Sequence, residues 1–122
     1  MPLPYRIDPS RRLAIVTASG VVSGRDISTT MVALFDDHGW APGHRILWDS
    51  RGITELAFQE RDLPEFLAVQ KAHGAVAPAR EVIVVTRELD RAMATAYANL
   101  VRSLHQVHVC RSMDDANALL GI

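Results

Sequence analysis

The chain has 122 residues, of which 48% are hydrophobic and 22% are charged, so it is long enough to bury one core and too apolar to be disordered. Its formal charge is −1, and its 13 Lys and Arg residues are spread along the chain. Nucleic acids and anionic membranes are bound through concentrated basic patches, so neither is an expected partner. We expect a single folded domain over residues 1–122.

Cysteine usage and the N-terminal residues bear on where the protein works. Cys110 is the only cysteine, which excludes an intrachain disulfide and favours a reducing compartment. The residues Met1–Arg6 lack the apolar core of a signal peptide, and no run approaches the roughly 18 apolar residues of a membrane span. A cytoplasmic protein without stable membrane insertion is therefore expected.

The first half of the chain predicts a hairpin, a helix and a strand. Tyr5–Asp8 and Arg12–Ala18 are β-type runs separated by turn formers, which indicates a β-hairpin. Ser23 has an aspartate three positions later, so it is expected to cap an amphipathic helix that stops at Gly39. A loop then leads into an apolar strand that begins at Ile46.

The second half of the chain alternates helices and strands. In chain order we expect a helix from about Gln59 to His73 with Gly74 just beyond it, a strand over Glu81–Thr86, a helix over Arg87–Leu104, a strand over Val107–Cys110 and a last helix capped by Ser112. The continuous β-branched run of the first of these strands is typical of a strand covered on both faces.

The resulting order is β-β-α-β-α-β-α-β-α. Strands that alternate with helices favour a mainly parallel sheet with helices packed on its faces. We therefore predict a single α/β domain with a five-stranded sheet, in which Ile46–Asp49 and Val82–Thr86 are neighbouring central strands and Tyr5–Asp8 is an antiparallel edge strand.

The stretch Ile46–Gly52 attracts attention because an apolar run changes abruptly into charged residues, which indicates a strand followed by a turn. In an open α/β sheet, ligands bind beyond the carboxyl ends of the strands. Residues at the ends of the two central strands are therefore the predicted binding site for a ligand or partner. These residues are Asp49, Ser50, Arg51, Thr86 and Arg87.

We expect this site to be electropositive, because it combines two arginines with the N-terminus of the Arg87 helix. An acidic group on a protein partner or on an apolar ligand is the expected guest, with Phe58, Leu63 and Phe66 as an apolar wall. Both arginines are expected to be exposed, so replacing them with alanine should weaken binding without unfolding the protein.

Other interpretations of these residues are more ordinary or more ambitious. Asp49 is read as a catalytic carboxylate or, preferably, as an acceptor of hydrogen bonds from the following turn, and Arg51 as an anion clamp or as a surface partner of Asp49 or Glu55. Ser50 lacks the surroundings of an activated nucleophile, so no catalytic residue is assigned. A small enzyme remains the alternative, and a deep polar pocket at the Asp49 end would favour it over a binding protein.

A metal site is the remaining chemical alternative. His108 and Cys110 are expected on the same side of a strand, with His105 at a neighbouring helix end, and three such ligands can hold zinc. A histidine at a helix end also complements the helix dipole, and a lone cysteine is usually buried filler. We therefore predict no metal, and whether the three side chains cluster is left open.

The element order and the Leu47-Trp48-Asp49 strand end together resemble the STAS domain, the fold of the bacterial anti-sigma-factor antagonists (SpoIIAA-like). The resemblance covers the whole chain. It implies a bacterial protein-interaction or ligand-sensing module, related in fold to CRAL-TRIO lipid carriers, that has no cofactor and is compatible with a homodimer.

One departure from that family concerns regulation. The antagonists carry an Asp-Ser-Ser/Thr-Gly motif at the start of the helix after this strand, where a partner kinase phosphorylates the serine or threonine. The corresponding stretch, Thr54–Glu60, contains no such motif, and Asp49-Ser50-Arg51-Gly52 lies about eight residues too early. We predict that the protein is not a serine-phosphorylated switch.

Overall fold

The computed structural model describes residues 2–73 and 78–122. Within these ranges the chain forms five strands and four α-helices in the predicted order. The elements are β1 Tyr5–Asp8, β2 Leu13–Ser23, α1 Gly24–Phe35, β3 Arg45–Ala57, a 3₁₀ turn at Glu60–Asp62, α2 Leu63–Ala72, β4 Arg80–Val84, α3 Glu88–Val101, β5 Gln106–Cys110 and α4 Met113–Leu120.

The strands form one mixed sheet in the order β1-β2-β3-β4-β5. β1 pairs antiparallel with β2, and the other neighbours are parallel. Trp48 of β3 lies opposite Ile83 of β4, so the two strands expected to be central neighbours are adjacent. The predicted fold class, including the antiparallel edge strand, is confirmed.

The prediction of a turn at Asp49–Gly52 is wrong, because β3 continues to Ala57 and pairs with the second half of β2. Gly52 explains the error: a Cβ atom here would lie 2.9 Å from Cβ of Ser19, so glycine lets the two strands approach each other. Gly20 of β2 has φ +69°, and the register shifts on both sides of it, which marks a bulge. Both glycines belong to a long, irregular strand pair.

The helix starts follow the local signals in the sequence. Ser23 accepts a hydrogen bond from the backbone N–H of Asp26, whose carboxylate accepts one from the N–H of Ser23, which completes a capping box. Pro64 lies in the first turn of α2, and Ser112 caps α4. α1 and α3 end earlier than expected, at Phe35 and Val101. Gly74 lies outside the described residues.

The two faces of the sheet differ in how they are covered. α1, α2 and α3 pack on one face around a core that includes Trp48, Phe66 and Tyr97. The short helix α4 packs on the other face, where Leu47 belongs to the same hydrophobic cluster as the buried residues of α4. Among the described helices, none is long and apolar enough to cross a membrane.

Candidate functional site

A cavity of about 80 Å³ lies between the sheet and helices α1, α2 and α3. Its walls are apolar apart from Ser50, Asp90 and the polar atoms of Trp48 and Tyr97, as far as the described residues show. Residues from all three helices and from β3 and β4 contribute, and the three expected to form an apolar wall, Phe58, Leu63 and Phe66, all line it. We call this space the inner cavity.

A second, wider space of about 420 Å³ adjoins the inner cavity beside the start of α3. Leu56, Phe58, Asp90 and Met93 line both spaces, so the two spaces adjoin each other. Its outer walls come from Glu55, Arg87 and Leu89, and the side chain of Leu89 is 75% exposed. We call this space the vestibule.

Asp90 sits where the vestibule meets the inner cavity, and it is only 3% exposed. Its Oδ2 lies 3.8 Å from Nε of Arg87, whereas its Oδ1 is buried without a hydrogen-bond partner among the described residues. Burial raises the pKa of Asp90, and the positive charge of Arg87 opposes that effect. Among the described residues, Asp90 is therefore a buried carboxylate with one oxygen that has no hydrogen-bond partner.

Arg87 is the residue that precedes the first turn of α3, and its own side chain is half-buried. Its Nη1 is buried and, within residues 2–73 and 78–122, has no hydrogen-bond partner. A guanidinium nitrogen can only donate, so this atom lacks an acceptor. Arg87 and Asp90 thus bring one unpaired donor and one unpaired acceptor to the vestibule.

Trp48 and Tyr97 line the inner cavity, where we call them its back wall, and both are held by a second buried carboxylate, that of Glu81, which is 0% exposed. Its oxygens accept hydrogen bonds from Trp48 Nε1 at 2.8 Å, from the Tyr97 hydroxyl at 2.6 Å and from His105 Nε2 at 2.6 Å. The Tyr97 hydroxyl also accepts a hydrogen bond from Gln70. Burial, followed by the negative charge of Glu81, raises the pKa of Tyr97 well above its usual value.

The five residues predicted as a site are divided between the two faces of the sheet. Ser50 is buried and lines the inner cavity, and Arg87 lines the vestibule. Asp49 pairs in register with Val84, so it belongs to the face that α4 covers, and its carboxylate binds Arg51 through two hydrogen bonds of 2.8 and 2.9 Å. Thr86 is exposed and lines neither space.

The charges at this end are largely paired. The guanidinium of Arg51 holds the pKa of Asp49 below its usual value, and Asp49 in turn raises the pKa of Arg51. Arg87 faces Asp90. Each predicted anion-binding arginine therefore has a carboxylate neighbour, which leaves little net positive charge for a guest.

The three side chains considered as metal ligands do not gather at one point. His105 is bound to Glu81. His108 and Cys110 pair in register with Val82 and Val84, whose side chains belong to the face that α4 covers. In the part of the chain that the structure describes, no group of three or more His, Cys, Asp or Glu residues is arranged to hold a metal ion.

Sequence reasoning missed Asp90 and Glu81. The signal for Asp90 was present, because Asp90, Ala94, Tyr97 and Val101 recur at helical spacing and are all buried on one face of α3. Glu81 appeared only as the polar start of an apolar strand. Its partners come from β3, from α3 and from the loop after α3, so no local sequence pattern indicated them.

No protein-family model matches the chain, and no curated protein matches it. Among solved structures, the chain is similar to an uncharacterized DUF3478-family protein from Shewanella loihica PV-4, whose crystal structure is described as having a SpoIIAA-like fold. The TM-score is 0.62, the identity is 16%, and the match covers 98% of this chain and 94% of that one. At this identity the likeness shows the fold alone, and it confirms the resemblance to STAS domains.

Proposed function

We propose that this SpoIIAA-like domain is a ligand-sensing module, in which a small apolar ligand enters through the vestibule and occupies the inner cavity. The observation that carries the proposal is the apolar cavity held between the sheet and three helices. Protein interiors are close-packed, so apolar walls that face an unfilled space lack packing partners. A ligand that fills the space would supply those contacts.

The nature of the walls also supports binding over catalysis. A deep polar pocket at the ends of the central strands would have favoured an enzyme, whereas the space found there has mostly apolar walls. Small apolar ligands are held by such walls, with a few polar groups that fix their orientation. An enzyme therefore remains the weaker alternative.

The ligand is tested by titrating toluene into the ¹⁵N-labelled protein and following the indole N–H of Trp48, which lines the inner cavity. We expect a saturable shift, with the indole N–H of Trp40 as the internal reference, because Trp40 packs against Phe35 and His44 instead.

Two leucine variants of α3 separate the cavity from the rest of the helix. Ala94 is buried against the inner cavity, so Ala94→Leu should fill it and abolish the Trp48 response. Ala92 is exposed on the same helix, so Ala92→Leu should bind toluene as the wild type does. The proposal fails if toluene leaves Trp48 unchanged, or if Ala94→Leu still binds it equally well.

We further propose that a protein partner binds at this end of the sheet when a ligand occupies the inner cavity. Asp49, Arg51 and Thr86 supply the polar contacts to that partner. Arg51 is exposed, and Asp49 accepts hydrogen bonds from only two of the five N–H groups of its guanidinium, so Arg51 can still donate to an acceptor on a partner surface. Arg87 is left out of this test, because removing it would strip the buried Asp90 of its counter-charge.

The partner is sought by a pull-down from the native host with wild-type protein as bait. Arg51→Ala should lose the captured protein, whereas Arg61→Ala, which removes another exposed charge in the 3₁₀ turn before α2, should retain it. Both changes should leave stability within about 0.5 kcal/mol of wild type. Equal capture by both variants would place the partner surface elsewhere.

A further inference from the structure

Two polar atoms at the junction of the vestibule and the inner cavity lack partners. Among the described residues, Oδ1 of Asp90 and Nη1 of Arg87 are both buried without a hydrogen bond, and the two residues are already in contact at 3.8 Å. Leaving a buried donor or acceptor unpaired costs about 1 to 3 kcal/mol. One molecule able to reach both atoms would remove both costs.

The chemistry of the two atoms restricts the head group of such a molecule. An ionised carboxylate oxygen can only accept a hydrogen bond, and a guanidinium nitrogen can only donate one. A ligand carboxylate would have no proton for Asp90, and a ligand ammonium would have no lone pair for Arg87. A hydroxyl offers both, because its hydrogen donates while its oxygen accepts.

The surrounding charges point the same way. Arg87 and Asp90 already balance each other, and Glu55 lines the vestibule. Glu88 adds a further negative charge in the first turn of α3. An anionic head would therefore meet more negative than positive charge. A cationic head would be attracted by this charge but would leave Nη1 of Arg87 without an acceptor, so a neutral head that both donates and accepts avoids both penalties.

We propose, on the basis of the ligand-sensing function proposed above, that the ligand is a neutral apolar alcohol whose hydroxyl donates to Asp90 and accepts from Arg87 while its apolar body fills the inner cavity. Met93 and Phe58 line both spaces and give the body a continuous apolar path past the polar pair. Asp90 and Arg87 thus select the head group, and the inner cavity selects for apolar bulk.

The test compares four probes that share one ring and differ in the head group: toluene, benzyl alcohol, benzoate and benzylammonium. Each is titrated at pH 7 into the wild-type protein, with the Trp48 indole N–H as the readout. We expect benzyl alcohol to bind about tenfold more tightly than toluene, because hydrogen bonds to charged groups are worth about 1.5 to 3 kcal/mol. Benzoate and benzylammonium should bind more weakly than the alcohol.

Matched variants show whether the preference comes from Asp90. Asp90→Ala removes the acceptor of the hydroxyl hydrogen but leaves Arg87 as a donor to the hydroxyl oxygen, so the preference for benzyl alcohol over toluene should fall well below tenfold. Glu88→Ala removes a charge from the same turn of α3, but Glu88 is exposed and lines neither space, so the tenfold preference should persist. The ratio of the two affinities is unaffected by a general change in the cavity.

The outcomes separate this inference from the function on which it rests. If toluene binds and the alcohol gains nothing, or if benzoate binds most tightly, the hydroxyl proposal is wrong while the ligand-sensing function stands. If Asp90→Ala keeps the tenfold preference, Asp90 is not the acceptor and the proposal is also wrong. If none of the four probes shifts Trp48, both proposals fail.

Discussion

Glu81 and Asp90 are two buried carboxylates beside the same cavity, and they differ in how their oxygens are satisfied. Glu81 is 0% exposed and accepts three hydrogen bonds, from Trp48, Tyr97 and His105. Asp90 is 3% exposed and has a single charged neighbour at 3.8 Å, and one of its oxygens is unpaired among the described residues.

The difference indicates that the two carboxylates have different roles at the inner cavity. A fully bonded buried carboxylate fixes the positions of its donors, so Glu81 makes the back wall rigid and specific. A buried carboxylate that lacks a hydrogen bond lowers the stability of the protein, but it can still accept a hydrogen bond from a ligand. Such groups are found at functional sites. The following predictions test this contrast from the largest expected effect to the smallest.

Replacing Glu81 should have the largest effect. Glu81→Leu leaves Trp48 Nε1, the Tyr97 hydroxyl and His105 Nε2 buried without their acceptor, and breaking such a network by removing one partner costs about 3 to 5 kcal/mol. Urea unfolding followed by circular dichroism measures the loss. Glu65→Leu, an exposed change on α2, is the control and should be nearly neutral. A loss below about 1 kcal/mol would show that Glu81 does not hold the wall.

A smaller loss is expected when only one donor of the network is removed. Tyr97→Phe deletes the hydroxyl that links Glu81 to Gln70, and the expected cost is about 1 to 2 kcal/mol. Tyr5→Phe removes a hydroxyl that bonds Asp37 at the partly exposed edge of the sheet, so it should cost less. Equal losses in the two variants would contradict the idea that the Glu81 network is special.

At Asp90 the expected effect has the opposite sign. Asp90→Asn keeps the shape of the side chain and removes a charge that is poorly compensated, so the ligand-free protein should become more stable by about 1 kcal/mol at pH 7. Glu88→Gln removes an exposed charge from the same turn and should change stability little. If Asp90→Asn destabilises the protein instead, the carboxylate stabilises the ligand-free fold, and its role as an unpaired group for a ligand is contradicted.

Much of the fold was predictable because its signals are local. The turn formers between β1 and β2, the Ser23 and Asp26 pair and the β-branched run of β4 each act within a few residues. The extent of β3 was not predictable in the same way. Gly52 has the composition of a turn residue, and only the position of Ser19 on the neighbouring strand shows why glycine is needed there.

The site was partly predictable for a related reason. The rule that ligands bind at the carboxyl ends of the strands pointed to the end of the sheet where Ser50 and Arg87 line the two spaces. It did not indicate which face the cavity occupies, because one residue along a strand reverses the side chain's direction. Asp49 and Ser50 are adjacent in the sequence and point to opposite faces for that reason.

The smallest and most specific effect is the pH dependence of the stability that the protein gains from Asp90→Asn. Burial raises the pKa of Asp90 above its ordinary value of 3.8, against the opposing charge of Arg87, so the folded protein holds this proton more tightly than the unfolded chain does. The destabilisation is therefore fully developed above the raised pKa, shrinks as the pH falls through that pKa and disappears only below 3.8. Glu55 and Glu88 also lie near this group, and both are unchanged in the variant.

The stability difference between Asp90→Asn and wild type should accordingly shrink from about 1 kcal/mol at pH 7 to nearly zero only well below pH 3.8, where Asp90 is protonated in both the folded and the unfolded protein and is as neutral as asparagine. Urea unfolding of the two proteins at a series of pH values measures this difference directly, since the groups that both share cancel. A constant difference, or one that grows as the pH falls, would mean that the carboxylate is already well satisfied in the folded protein. Asp90 would then not differ from Glu81 in how well its oxygens are satisfied.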